Sequence, residues 1–215
     1  MRHIPLLLLC LLLQACTQTQ KGIGETIKYV FLGVDDVALT DEQVQEMPYA
    51  SMYLRLNGGQ RIFTVLGYDE QGQQKWITQD KAMVVTQHGR IVKTLGLSDN
   101  LRDVNNLQQD PLINALQITE SSRWTRTLSW TENGRLRSGT AVSHFSRAKD
   151  EVLTIAGRAV PCRVYREEVE IAADGKSWEN TFWVDASTGQ VRQGQQSLGA
   201  DYISVETTLL KPAKS

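Results

Sequence analysis

From Tyr49 to Leu210 apolar and polar residues alternate in run after run, and most runs end at a turn rich in Gly, Asn or Asp. A period of two sends successive side chains to opposite faces of an extended strand, so the pattern demands sheets with one buried face and excludes a helical bundle. Clear runs are Ser51 to Leu56, Ile62 to Leu66, Lys75 to Thr78, Ala82 to Thr86, Arg90 to Thr94, Trp124 to Trp130 and Leu136 to Phe145. Asn57-Gly58-Gly59, Asp69 to Gly72, Gln87-His88-Gly89 and Asn133-Gly134 separate them, and Asn-Gly between alternating runs is among the strongest hairpin signals. Further hairpins turn at Ala173 to Lys176 and at Asp185 to Gly189, joining Asn180–Val184 to Gln190–Arg192, and a closing strand runs from Tyr202 to Leu210. Roughly ten strands in sequence order predict a large antiparallel meander, which must curl or close to protect its edges. The expected fold class is therefore mainly β, a barrel-like single domain with one or two short helices.

Two stretches depart from the alternation. Thr40-Asp41-Glu42-Gln43 has the spacing of a capping box, with Val44 and Met47 at helical spacing and Pro48 beyond, which predicts a two-turn helix at the entrance to the domain. Residues 97–117 lose the period and carry Asp110-Pro111, as a helix or an irregular crossover would.

The N-terminus carries an export signal. Arg2 and His3 precede an apolar run from Ile4 to Leu13 that ends at Leu13-Gln14-Ala15-Cys16, a lipobox. The run is shorter than the roughly 20 residues a membrane span needs. Cleavage before Cys16 and acylation of its sulfur and new amino group would tether the protein to a membrane, each buried CH₂ contributing about 0.8 kcal/mol. Thr17 follows the cysteine where inner-membrane retention favours Asp, which points to the outer membrane with the body facing the periplasm. The expected organisation is a signal peptide over 1–15, a lipidated cysteine and polar tether over 16–28, and one β-rich domain over 29–215.

Removing residues 1–15 leaves 200 of the 215, with 22 basic residues against 24 acidic ones once Arg2 departs, a net charge of −2. Such a chain has no electrostatic footprint for nucleic acid. Cys162 becomes the one cysteine besides the anchor, so no intramolecular disulfide forms, and its setting in Val160-Pro161-Cys162-Arg163-Val164 predicts a buried, unreactive thiol.

No G-x-S-x-G, H-E-x-x-H, P-loop or Cys-x-x-Cys motif occurs. His88 sits in a predicted turn and His144 on a strand face, too few for a histidine-rich metal site. No catalytic residue, metal or cofactor is assigned. A polysaccharide-active enzyme could use two carboxylates alone. Asp35-Asp36, Asp69-Glu70, Glu167-Glu168 and Asp201 are available, but most of them fall in predicted turns or on alternating charged faces. Charges at both parities from Arg163 to Glu170 predict a solvated or edge strand there. Trp76, Trp124, Trp130, Trp178 and Trp183 lie in or beside strands, and Trp124 and Trp130 share a face. Core filling is the default for both, with stacking on a glycan as the weaker alternative.

Several longer strings carry a resemblance. Leu12 to Cys16, Met47 to Ser51, Leu56 to Gly59, Gln73 to Asp80, Thr86 to Leu95, Trp124 to Thr127 and Leu198 to Tyr202 resemble the YjbF/GfcB family of exopolysaccharide and group 4 capsule operon lipoproteins. The resemblance spans nearly the whole mature chain and thins between about 135 and 180. It implies a barrel-like outer-membrane lipoprotein acting in polymer production or export beside other proteins of its operon, and it transfers one position, Cys16. Three functions follow: a non-enzymatic accessory factor, which the observations favour; a carrier holding lipid or glycan in a curled sheet; and a carboxylate-dependent polysaccharide-active enzyme.

Overall fold

The computed structural model describes residues 36–213, and the chain from Ala38 onward forms one compact unit. The signal, Cys16 and the tether lie outside the described residues. The body opens on α1 (Asp41–Glu46), whose capping box is complete: Thr40 Oγ1 accepts from Gln43 N, and Gln43 Oε1 accepts from Thr40 N.

Strands then follow in near-unbroken antiparallel succession. They are β1 (Ser51–Leu56), β2 (Arg61–Glu70), β3 (Gln73–Ile77), β4 (Met83–Gln87), β5 (Arg90–Leu95), β6 (Leu101–Val104) and β7 (Arg123–Glu132). The second half adds β8 (Arg135–Arg147), β9 (Glu151–Ile155), β10 (Arg158–Ile171), β11 (Lys176–Asp185), β12 (Val191–Leu198) and β13 (Ile203–Lys211). All 13 belong to one sheet in the order β5-β4-β3-β2-β1-β13-β12-β11-β10-β8-β7-β6, with β9 added against β10. The sheet is a meander split between β5 and β6 and stitched by β1 to β13, nearly closed into a barrel.

The seam between β5 and β6 is sealed by side chains. Thr94 Oγ1 accepts from Leu101 N at 3.0 Å, and Gln196 reaches from β12 to accept from Ile91 N and donate to Gly89 O, both at 3.0 Å. Groups that would mark an open, aggregation-prone edge are thereby satisfied.

Parity fixes what faces inward. Trp124, Arg126, Leu128 and Trp130 of β7, Ala141, Ser143 and Phe145 of β8, and Tyr165, Glu167, Val169 and Ile171 of β10 are all buried. Trp130 fits because glycine stands beside it: a Cβ on Gly199 would lie 3.0 Å from Trp130 Cδ1. The irregular stretch after β6 is two 3-10 segments, Leu107–Gln109 and Pro111–Gln117, which bury Leu112 and Ala115. The hairpin between β9 and β10 was not anticipated from sequence, because Ala156 takes the left-handed position at φ 47° that Asn or Gly usually signals.

The β4–β5 turn has His88 and Gly89 at φ 51° and 82°, the conformation of a two-residue hairpin. A Cβ on Gly89 would lie 2.3 Å from Val191 Cβ. Gly89→Ala is therefore expected to destabilise the protein by about 2–4 kcal/mol through combined backbone strain and overpacking, read as a lower urea midpoint. Gly72→Ala shares the positive φ but meets nothing within 4 Å, and should lose less.

Candidate functional site

The interior holds a buried charge network. Arg90 enters from β5 and donates from Nε and Nη2 to the two oxygens of Asp110, with Nη2 to Oδ1 at 3.1 Å. Asp110 is placed by the turn before Pro111, where its Oδ1 also accepts from Leu112 N at 3.0 Å. Arg90 Nη1 reaches across to Glu167 Oε2 of β10 at 2.8 Å, and Asn180 Nδ2 of β11 donates to the same oxygen at 2.8 Å. Glu167 Oε1 accepts from Ser143 Oγ at 2.6 Å and lies 3.5 Å from Arg126 Nη1, which itself donates to Ser143 Oγ. Both guanidiniums flank the Trp124 ring, their carbons 4.5 and 4.1 Å from its centroid.

Two cations and two carboxylates balance in this space. Burial alone would raise the Glu167 carboxyl, but the Arg90 and Arg126 guanidiniums overcome it and hold it at about 2. Burial pulls Arg126 down to about 10, while Arg90 is held above the ordinary arginine value against its own desolvation by Asp110 and Glu167. A folded-state value depressed below the ordinary 4.5 of Glu167 contributes stability that is present above 4.5 and lost as pH falls through about 2. Thermal midpoints should accordingly hold steady down to about pH 4.5 and drop between there and pH 2, and Glu167→Gln should flatten that drop.

The solvated or edge strand expected around Glu167 is corrected by this arrangement. β10 is central, with Glu167 opposite Phe145 on β8 and Asn180 on β11, and Glu167 is 0% exposed while Arg166, Glu168 and Glu170 face out. The charge inside was missed because its partners come from distant parts of the chain. A signal was present: Glu167 is the lone charge among Tyr165, Val169 and Ile171, and Arg126 the lone charge among Trp124, Leu128 and Trp130.

Trp124 and Trp130, the glycan-stacking candidates, are 2% and 1% exposed. Neither indole offers a face to a sugar in this fold, because both fill the barrel. Trp76 and Trp178 are buried with them, and Trp183 packs on the opposite sheet face with Cys162 and Val164. Burial pushes the Cys162 thiol up to about 11, an unreactive state. His144 is exposed on the outer face of β8, and Asp201 is exposed in the turn before β13. The void beside Arg90 and Arg126 amounts to about 20 Å³, enough for a water and too small for a lipid or glycan in that part of the lumen.

Space opens at one barrel end instead. A cleft of about 390 Å³ is bounded by the β2–β3, β4–β5 and β11–β12 turns and by the 3-10 segment that carries Leu112. Asp69 and His88 lie at its margin and are exposed, and Arg192 lines its wall. Among the described residues no three His, Cys, Asp or Glu side chains converge as a metal site.

The sequence and the nearly closed barrel are shared with proteins already described. The profile of "Group 4 capsule polysaccharide lipoprotein gfcB, YjbF" matches residues 24–210, and the chain belongs to this lipoprotein family. Two relatives from Escherichia coli K12 align essentially end to end: uncharacterized lipoprotein GfcB, 52% identical over 99% of this chain and 100% of its own, and uncharacterized lipoprotein YjbF, 50% identical over 100% of both. The crystal structure of the hypothetical lipoprotein YmcC from the same organism shares the fold with a TM-score of 0.79 and 56% identity, over 82% of this chain and 91% of its own.

Proposed function

We propose that the protein is an outer-membrane lipoprotein, acylated at Cys16 with its body in the periplasm, that acts as a non-enzymatic accessory factor in production or export of a capsule or exopolysaccharide. The polymer context rests on the family. Thr17 after the lipobox supports the outer membrane, and the barrel's outward charges support an aqueous setting. Apolar residues point in while Arg166, Glu168 and Glu170 point out, the reverse of a barrel that spans lipid.

The observation that carries the non-enzymatic part is the state of Glu167. A glycosidase acid must hold its proton near neutral pH, so its pKa is raised; the buried Glu167 is instead drawn down to about 2 by two arginines. Asp110 is committed to a two-pronged ion pair with Arg90. With these two buried carboxylates used to hold strands together, the body works through contacts with other proteins of the export machinery. Deleting the gene in a polymer-producing strain should lower surface polymer, and a plasmid copy should restore it. Unchanged secretion in the deletion strain would sink the proposal.

A further inference from the structure

We propose that the end cleft binds a carboxylate-bearing saccharide, with Arg192 as the group that pairs with the carboxylate. The saccharide part rests on the polymer-export reading above; the anionic part rests on Arg192 itself. This side chain is half-buried at the start of β12, and its Nη2 makes a long hydrogen bond to Leu209 O at 3.3 Å. Its Nε is buried without a partner, and no carboxylate among the described residues lies within ion-pairing distance. The two fully buried arginines are treated differently: Arg90 and Arg126 each have a carboxylate. A desolvated guanidinium with an unmet donor is unfavourable, and burial lowers the pKa of Arg192 against the attraction of Asp185, which lies near but makes no hydrogen bond to it, so an incoming carboxylate supplies the hydrogen-bonding partner the fold withholds.

The rest of the cleft suits a sugar. Gln74 and Gln190 offer amides to hydroxyl groups, while Ile113 and Leu209 give an apolar surface for a ring's C–H face. At about 390 Å³ the space is near the lower end of the ~300–1,000 Å³ range of small-molecule sites, room for a short chain end and not for a threaded polymer. Asp69 stands at the exposed margin, where Gln74 Nε2 approaches it at 3.4 Å, and its charge directs an acidic group away from that side towards Arg192.

The full chain, expressed with its leader and purified in detergent, is titrated by calorimetry with a glucuronic acid–glucose disaccharide, with the neutral disaccharide cellobiose, and with inorganic phosphate. Saturable binding of the acidic disaccharide is expected, with cellobiose at least about tenfold weaker, the contribution of one charge-assisted pair. Arg192→Gln should reduce the acidic disaccharide to the neutral level and Arg192→Lys should restore part of the difference, with thermal unfolding used to verify that both variants fold. Equal binding of acidic and neutral sugars, binding of neither, or an Arg192→Gln variant as tight as the parent overturns the inference. So does phosphate competing as strongly as the sugar, which would make the cleft a simple anion site. Polymer loss on gene deletion without acid-selective binding sinks this site alone, whereas acid-selective binding with normal secretion sinks the export role alone.

Discussion

Replacing Glu167 with alanine is expected to destabilise the protein by about 3–5 kcal/mol, the usual effect of removing one partner from a buried ion pair. The change strips Arg126 of the one carboxylate within ion-pairing reach among the described residues and leaves Arg90 with Asp110. It also takes the acceptor from the Ser143 hydroxyl hydrogen and the Asn180 Nδ2 amide, which both donate to Glu167. For a domain of this size each kcal/mol moves the thermal midpoint by roughly 2–4 °C, so calorimetry should record a fall of roughly 6–20 °C. Charge imbalance, rather than the lost volume, is the cause proposed for most of this. The paired replacement Arg126→Met with Glu167→Leu should therefore recover much of the loss, and a double variant no better than Glu167→Ala would refute that cause.

Trp124→Ala should be of similar size, about 3–5 kcal/mol from the cavity, with about 0.5–2 kcal/mol more for each guanidinium that loses its aromatic partner. The indole also donates from Nε1 to Asn106 O at 3.0 Å, tying β7 to the loop that leads to Asp110. Trp124→Phe keeps a ring beside Arg90 and Arg126 while losing that hydrogen bond, so it should fall well short of the alanine variant. Urea unfolding of the two variants separates ring from hydrogen bond; equal losses would show that the guanidinium contacts contribute little.

How far the sequence speaks for this fold depends on the range of the interactions involved. Asn133-Gly134, Gln87-His88-Gly89 and the Thr40 capping box are local chemistry, and each forms the turn or helix start its residues predict. The shared inward face of Trp124 and Trp130 follows from an even spacing on one strand. β6 is only four residues long and pairs with β7 across an irregular register, too brief to establish a period. The charge network is the larger omission, because Arg90 meets Glu167 across 77 positions of sequence. A carboxylate reads as solvated until the strand carrying its cation is folded against it. The end cleft is equally non-local, drawing its walls from several turns that only barrel closure brings together.

These features give the protein a division of labour. The interior charges hold β5, β7 and β10 and the segment after β6 in fixed relation, and the proposed function falls to the end cleft, the outer face and the proposed anchor. We propose that this function involves no chemistry on the polymer. Among the described residues, Asp69 and His88 are the carboxylate and imidazole that line the cleft. The most direct test is surface polymer measured in a deletion strain carrying the chain with Asp69→Asn and His88→Ala together, at matched protein levels. Secretion restored to the level given by the unmodified chain is the expected result; a folded double variant that fails to restore it would refute a non-enzymatic role and make the cleft an active-site candidate.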